Sequence, residues 1–100
     1  MMNYLRISLN EVIVKFTNQF KLDFKKAEKQ HRNIEILKNV VSLLADGMPL
    51  PQKYCDHALT GDYKGKRECH LAPDWLLIYE YEHNELILWL ARTGTHSDLF

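Results

Sequence analysis

The amino-acid sequence predicts an α+β fold in which a helical hairpin packs on a largely antiparallel sheet. One segment alternates between apolar and polar residues, which is typical of a half-buried strand. Two later segments repeat apolar residues at steps of three and four, as amphipathic helices do, and three more strand-like segments follow. The predicted order is strand–helix–helix–strand–strand–strand in one domain, since 100 residues suffice for a single core.

The first half of the chain contains one predicted strand and both predicted helices. Residues 1–10 have no clear period, and we expect a loose N-terminal extension before a domain that spans residues 11–100. Glu11–Thr17 is the alternating strand, Asn18–Arg32 is the first helix and Ile34–Asp46 is the second. Because only a short connection separates the helices, we expect them to fold back as a hairpin.

Capping residues mark the ends of these helices. Thr17 or Asn18 can accept a hydrogen bond from the first turn of the first helix, and Asn33 can do the same for the second. Gly47 is well placed to end the second helix, because glycine readily adopts the left-handed conformation found after many helices.

The second half of the chain is predicted to form three consecutive strands, Lys66–Leu71, Trp75–Glu82 and Glu85–Arg92. Ala72–Asp74 connects the first two strands, and His83–Asn84 is a tight hairpin turn between the last two. The residues of the last strand that we expect to face the core or its rim are Leu86, Leu88 and Leu90.

The charge of the chain is balanced overall but uneven along its length. Thirteen Lys and Arg match 13 Asp and Glu, and nucleic-acid-binding domains are usually more basic than this. Residues 1–50 carry a charge of +3, from eight basic and five acidic residues, and residues 51–100 carry the opposite charge. No apolar run approaches the roughly 20 residues of a membrane span, and the N-terminus lacks a secretion-signal pattern. We therefore expect a cytoplasmic protein without membrane association.

Basic residues also form a row along the first predicted helix, at the spacing of one helical stripe. The members of this basic row are Lys21, Lys25, Lys29 and Arg32. The row is either a solvated face or a ridge that contacts RNA phosphates, since like charges at this spacing repel unless an anion lies nearby.

The two cysteines, Cys55 and Cys69, are expected to be reduced thiols, because a secreted disulfide framework would need more of them. They could form a zinc site only together with His57 and His70. That spacing matches no usual zinc finger, and adjacent strand residues point to opposite faces. We expect no metal and no cofactor.

Several uncommon motifs occur in order along the chain. They are Pro49–Leu50–Pro51, Tyr54-x-Asp56–His57-x-Leu59-x-Gly61, Lys64–Gly65-x-Arg67-x-x-His70-x-x-Pro73–Asp74–Trp75-x-Leu77–Ile78–Tyr79, and Arg92–Thr93–Gly94–Thr95–His96-x-x-Leu99–Phe100. Together with the element order, they resemble the RelE/ParE toxin superfamily of bacterial toxin–antitoxin systems, and its YafQ branch in particular. The similarity runs from about Val12 to the last residue.

The resemblance implies a ribosome-dependent endoribonuclease that enters the ribosomal A site and cuts the mRNA codon there. It also implies a cognate antitoxin of the DinJ/RelB kind that holds the toxin inactive and supplies any contact with operator DNA. The site residues implied by the motifs are His57, His70, Asp74, Arg92, His96 and Phe100, with Trp75 and Arg67 as near neighbours.

The implied residues suit RNA cleavage without a metal. The 2′-hydroxyl attacks the phosphate, so the reaction needs a base, an acid for the leaving 5′-oxygen and positive charge on the transition state. Histidine titrates near neutrality and can serve as either acid or base. We assign His96 as the general acid against the alternative of a surface-turn histidine. The base is His70 or Asp74, and the residues do not separate these two or settle whether His57, in the connection, contributes.

The other candidates each have a plain structural alternative. Arg92 suits a bidentate phosphate contact, or else pairs across strands with Glu80 or Glu82. Phe100 suits stacking on an unpaired base, or else packs on the sheet. Lys64 and Arg67 are expected to flank the mouth of the site and to bind RNA phosphates.

Two functions from different classes remain in competition. The first is the endoribonuclease toxin; the second is a RelE-like module that binds the ribosome or a partner without cutting. Neutral net charge favours the second, whereas the joint presence of His70, Asp74, Arg92 and His96 favours the first. The gyrase-directed ParE branch fits less well, because its action does not require these histidines.

Overall fold

A six-stranded mixed sheet carries two helices on one face in the computed structural model, which describes residues 4–6, 12–84 and 86–100. The elements in chain order are β1 (Tyr4–Arg6), β2 (Ile13–Phe16), α1 (Asn18–Lys29), α2 (Ile34–Ala45), β3 (His57–Ala58), β4 (Arg67–Ala72), β5 (Trp75–Glu82), β6 (Ile87–Gly94) and α3 (His96–Leu99). The predicted α+β class and the predicted helical hairpin are confirmed. Within the described ranges, no helix is long and apolar enough to cross a membrane.

The strands lie in the order β1-β2-β6-β5-β4-β3, and every neighbouring pair is antiparallel except β2 and β6. The sequence did not predict β1 or β3. Tyr4–Arg6, within the predicted extension, pairs with β2 as an edge strand. The other residues of that extension lie outside the described residues, as do Glu11 and Glu85. Strands as short as β1 and β3 leave too little periodicity to recognise in a sequence.

Thr17 and Asn33 cap the two long helices. The Thr17 hydroxyl accepts a hydrogen bond from the Phe20 amide at 2.9 Å and donates one to the Ala91 carbonyl at 2.6 Å. Asn33 accepts from the Glu35 amide at 3.2 Å. Gly47, with φ of +69°, follows the end of α2 as predicted. Thr17 therefore both starts α1 and ties it to β6.

The main core lies between the helices and one face of the sheet. Both the sheet and the helices contribute fully buried side chains to it. Examples are Val14, Leu77 and Leu88 of the strands and Val40 of α2. Leu88 and Leu90 are buried in this core, whereas Leu86, predicted to face the core or its rim, is 55 % exposed. It follows the hairpin turn at His83 and Asn84, before β6 begins, and so has no place in the alternating pattern of the strand.

A second, smaller apolar cluster lies on the opposite face of the sheet. Leu76, Ile78, Ala91 and Leu99 are buried there, and Leu59 and Tyr63 pack against them. The segment between β3 and β4, which contains a short 3-10 turn at Gly61–Tyr63, therefore covers part of this face.

Replacing Leu77 by alanine should lower the free energy of unfolding by about 2–5 kcal/mol, because Leu77 is fully buried on the central strand β5. Leu86→Ala removes the same atoms from an exposed position and should change stability by less than about 0.5 kcal/mol. Urea denaturation monitored by circular dichroism measures both. Equal losses from the two variants would contradict the assigned core.

The two thiols should react very differently with a thiol reagent at pH 8. Burial raises the pKa of Cys69 to about 12, with smaller contributions from Asp56 and Glu68, whereas Cys55 is exposed. The folded protein should therefore label rapidly at one thiol and the denatured protein at two, because only the thiolate reacts. Rapid labelling of Cys55→Ser in the folded state would contradict this arrangement.

Candidate active site

Four residues on neighbouring strands form a row across the sheet face opposite the two long helices. His57 lies opposite Glu68, Glu68 opposite Ile78, and Ile78 opposite Arg92. Residues directly opposite each other on paired strands share a face, so the row places His57, Glu68 and Arg92 on one surface with Ile78 between them. The next row on the same face joins His70 through β5 to Gly94, just before α3.

A buried carboxylate lies between two histidines at one end of this surface. Glu68 Oε1 is 3.4 Å from Nε2 of His57 and 3.4 Å from Nε2 of His70, and only 7 % of the Glu68 side chain is exposed. Its other oxygen, Oε2, is buried without a hydrogen-bond partner among the described residues. The two imidazole centroids are 6.3 Å apart. The three side chains, here called the His–Glu–His cluster, are a compact group able to accept and hold protons.

The His57 ring is oriented by its own backbone neighbour. Nδ1 lies 2.7 Å from the Cys55 carbonyl, which can only accept, so Nδ1 carries the hydrogen. In the neutral ring this leaves Nε2 without a hydrogen and directed at Glu68. His57 can therefore take up a proton at Nε2 without breaking its contact with the backbone.

Sequence reasoning missed Glu68. A signal was present, because Glu68 precedes His70 by two residues and alternate residues of a strand share a face. What could not be read from the sequence was that the short strand β3 brings His57 beside the same carboxylate.

Asp56 fixes the strand that carries His57. Its carboxylate accepts hydrogen bonds from Arg67 Nε at 3.3 Å, from Arg67 Nη2 at 3.1 Å and from the Tyr79 hydroxyl. Burial, followed by the hydrogen bond to Asp56, raises the pKa of Tyr79, so its hydroxyl remains a donor. Arg67 lies opposite Tyr79, on the helix-bearing face. Arg67 was predicted to flank the mouth of the site and to bind RNA phosphates. The structure instead places it on the opposite face of the sheet.

The C-terminal residues form the opposite end of the surface. Thr95 and Asp98 make a capping box that starts α3, and this four-residue helix carries His96. The rings of His96 and Phe100 are 4.9 Å apart, and Tyr63 meets Phe100 edge-on at 5.3 Å. Phe100 is 55 % exposed, so it packs on these two rings rather than into the sheet. The Tyr63 hydroxyl donates to the Leu99 carbonyl at 2.9 Å and holds α3 against the face.

Arg92 is paired with a residue that the sequence reasoning did not consider. It donates to Asp23 of α1 from Nε at 2.9 Å and from Nη2 at 3.2 Å. The predicted alternative, a cross-strand pair with Glu80 or Glu82, is not what forms; Glu80 pairs with Lys66 at 3.8 Å. The hydrogen bonds to Asp23 are the largest cause of the raised pKa of Arg92. Arg92 is therefore a fixed cation beside Ile78.

The remaining predicted residues are less closely tied to this surface. Asp74 is exposed in the turn between β4 and β5, and no hydrogen bond or ion pair joins it to another described residue. Lys64 is exposed beside Gly65, and Trp75 is buried in the main core with Arg32 over its ring at 5.5 Å. The structure thus brings His70 to Glu68 rather than to Asp74.

Three members of the basic row lie on α1, which packs on the helix-bearing face of the sheet; Arg32 does not, because the helix ends at Lys29 rather than at Arg32 as predicted, and His31 adopts a left-handed φ of +58°. Lys25 and Lys29 are exposed, whereas Lys21 and Arg32 are half-buried. Arg32 donates from Nε to Gln30 and stacks on Trp75. The row is therefore separated from the His–Glu–His cluster by the thickness of the sheet.

A zinc site from the two cysteines does not form. Cys69 is buried and lies opposite Leu77 of the main core, whereas His70 lies on the other face. In the described ranges, no group of three or more His, Cys, Asp and Glu side chains has a geometry that could hold a metal ion.

Comparison with known proteins identifies the family. The family model for the bacterial toxin of type II toxin–antitoxin systems, YafQ, matches residues 12–100. The mRNA interferase toxin YafQ of Escherichia coli is 41 % identical over 88 residues, which cover 87 % of this chain and 94 % of that protein.

Solved structures agree with the sequence comparison. The toxin in a crystal structure of the E. coli DinJ–YafQ complex is 41 % identical, with a TM-score of 0.79 over 87 % of this chain and 96 % of that one. A metal-bound toxin from Helicobacter pylori is 42 % identical, with a TM-score of 0.81 over 87 % and 97 % of the two chains. The chain belongs to the YafQ family of type II toxin–antitoxin toxins.

Proposed function

We propose that this toxin is an endoribonuclease that cleaves mRNA in the ribosomal A site and so inhibits translation. The observation that carries the proposal is the placement of titratable groups at both ends of one open sheet face. His70 and Gly94, which precedes His96 by two residues, are separated only by Leu76, or about 10 Å at the usual strand spacing. Histidine side chains on the two sides can reach one phosphodiester across that distance.

The chemistry follows from this placement. A histidine of the His–Glu–His cluster takes the proton from the 2′-hydroxyl as the 2′-oxygen attacks phosphorus. The bond to the 5′-oxygen breaks as His96 gives that oxygen a proton, which leaves a 2′,3′-cyclic phosphate and a 5′-hydroxyl. Each such acid or base typically contributes about 10²–10⁴-fold to the rate.

We assign the base to the histidine cluster rather than to Asp74. Glu68 contacts both His57 and His70 at 3.4 Å, whereas Asp74 has no described contact with either. His70 is 36 % exposed at its side chain and is therefore accessible to a substrate hydroxyl. Asp74 lies in the turn at the end of the sheet where α3 begins, and we propose that it contacts the mRNA there.

Positive charge and stacking complete the site. Arg92 lies on β6, on the same face and two residues before Gly94, and is assigned to the phosphate oxygens, whose charge increases in the transition state. Phe100 presents a half-exposed ring on which an unpaired base can stack, worth about 1–3 kcal/mol. Lys64 and the basic row are assigned to RNA phosphates outside the reacting one.

The proposed partners are the ribosome, mRNA and a DinJ-like antitoxin. The last follows from the E. coli DinJ–YafQ complexes, whose toxins share 40–41 % of their residues with this chain. We propose that operator DNA is contacted only through the antitoxin, and that the toxin acts in the cytoplasm, where translation occurs.

We further propose that cleavage needs no metal ion. An acid, a base and a cation are present as side chains, so no step of the reaction requires a Lewis acid. The Helicobacter relative is described as metal-bound, which makes metal dependence a property to measure for this chain.

In a reconstituted translation reaction, the purified toxin should produce mRNA 5′ ends within the A-site codon, as mapped by primer extension. His96→Ala and His70→Ala should each lower the cleavage rate by about 10²–10⁴-fold, because each removes one proton-transfer group. His83→Asn is the matched control, since His83 lies in the distant hairpin turn and asparagine tolerates its positive φ.

Two control reactions test ribosome dependence and metal independence separately. A reaction without ribosomes should leave the mRNA intact, and a chelator selective for zinc and copper should leave the rate unchanged. Intact mRNA with folded wild-type toxin and ribosomes would instead favour a binding module that does not cut. Cleavage by both histidine variants at the wild-type rate would refute the acid–base assignment.

Glu68→Gln should make the toxin more stable and less active at pH 8. The substitution removes an incompletely paired buried charge, and the amide nitrogen of glutamine can donate to the unprotonated Nε2 of His57, so we expect a gain of about 1 kcal/mol. The same change removes the carboxylate that holds His57 and His70 together, so mRNA cleavage should fall. Urea denaturation and primer extension measure the two effects, and a variant that loses both stability and activity would contradict this role.

A further inference from the structure

We propose that Asp23 of α1 is a positioning residue that fixes the Arg92 guanidinium for catalysis. This inference rests on the proposed function, because Arg92 is there assigned to the phosphate. Asp23 does not lie on the catalytic face; it acts by holding Arg92.

The need for such a residue comes from the sheet. Strand β2 ends its pairing with β6 at Phe16 and Leu90, so the following part of β6 has no strand on that side. Helix α1 covers this exposed edge with side chains instead. The Thr17 hydroxyl donates to the Ala91 carbonyl, and the Asp23 carboxylate accepts the Thr93 amide at 3.1 Å.

Asp23 binds the guanidinium in a side-on manner. Oδ2 accepts Arg92 Nε at 2.9 Å and Oδ1 accepts Nη2 at 3.2 Å. Planar bidentate pairing of this kind fixes orientation as well as position. Asp23 does not use Nη1, and Tyr63 of the open face also lies close enough to raise the pKa of Arg92. We assign Nη1 to a phosphate oxygen of the bound RNA.

The carboxylate is itself held rigidly. Besides Arg92 and the Thr93 amide, it accepts the Gln19 side-chain amide at 3.1 Å, and only 10 % of the Asp23 side chain is exposed. A carboxylate with this many donors has little freedom to move, so the guanidinium bound to it has little freedom either. The Asp23 carboxylate also offsets part of the positive charge of Arg92. The contact therefore contributes by orienting the guanidinium, not by increasing its attraction for RNA.

The variant Asp23→Asn separates these contributions. Its oxygen can replace Oδ2 and keep the bonds to Arg92 Nε and the Thr93 amide. Its amide nitrogen then faces Arg92 Nη2 and Gln19. The Gln19 amide can turn to present its oxygen, but a guanidinium has only donors, so one Arg92 bond is lost selectively.

The experiment is a double-mutant cycle of Asp23→Asn and Arg92→Ala, read as kcat and KM for A-site cleavage on programmed ribosomes. In the presence of Arg92, Asp23→Asn should lower kcat by roughly 10- to 100-fold with little change in KM, because small misplacement of a catalytic group costs this much. In the Arg92→Ala background, it should have no further effect on kcat. Asp23→Glu, which keeps the carboxylate, should recover part of the loss.

Controls keep the outcomes distinct. Glu35→Gln removes a carboxylate from the exposed pair with Lys38 and should leave kcat unchanged. Circular dichroism melting confirms that each variant is folded. An equal loss of kcat from Asp23→Asn in both backgrounds, or no loss in the folded variant, would overturn the inference while leaving the nuclease intact. Absence of cleavage by the wild-type toxin would overturn the proposed function itself.

Discussion

The antiparallel register of β4, β5 and β6 is the constraint on which the rest of the structure depends. Alternate residues of a strand point to opposite faces, so this register decides which side chains enter the core and which share the open face. Leu77 and Tyr79 pack under the helices, whereas Leu76 and Ile78 of the same strand support the site. A slip of one residue would exchange the two sets. The large core on one face therefore also fixes Glu68 and His70 on the other. Arg92 reaches that face because the register of β5 and β6 shifts at Ala91, between the pairs Tyr79–Leu90 and Ile78–Arg92.

Two aspartates fix, through hydrogen bonds, side chains whose positions the strand register alone does not determine. Asp56 ties β3, and with it His57, to Arg67 and Tyr79. Asp23 ties Arg92 to α1. Both carboxylates accept several hydrogen bonds, which offsets the cost of removing their charge from water. In each case a residue on the core side of the sheet holds a residue on the site side.

Glu68 departs from this pattern of satisfied groups. It is the buried carboxylate of the open face, one of its oxygens has no partner, and its two neighbours are histidines at 3.4 Å. A natural core avoids such an arrangement, because an unpaired buried polar atom lowers stability. Violations of this kind concentrate at functional sites. The unfavourable placement of Glu68 is therefore an independent physical reason to locate proton chemistry in this cluster.

The sequence by itself determined the α+β class, the helical hairpin and its caps, and the three C-terminal strands, because these depend on local periodicity and on capping and turn residues. Its motifs also identified the family. Tertiary structure alone decided which residues meet: Glu68 joins His57 to His70, Asp23 pairs with Arg92, and Arg67 lies on the helix-bearing face. These contacts join residues as far as 69 positions apart in the chain. They depend on strand register and on the packing of α1 against β6, which no local pattern encodes.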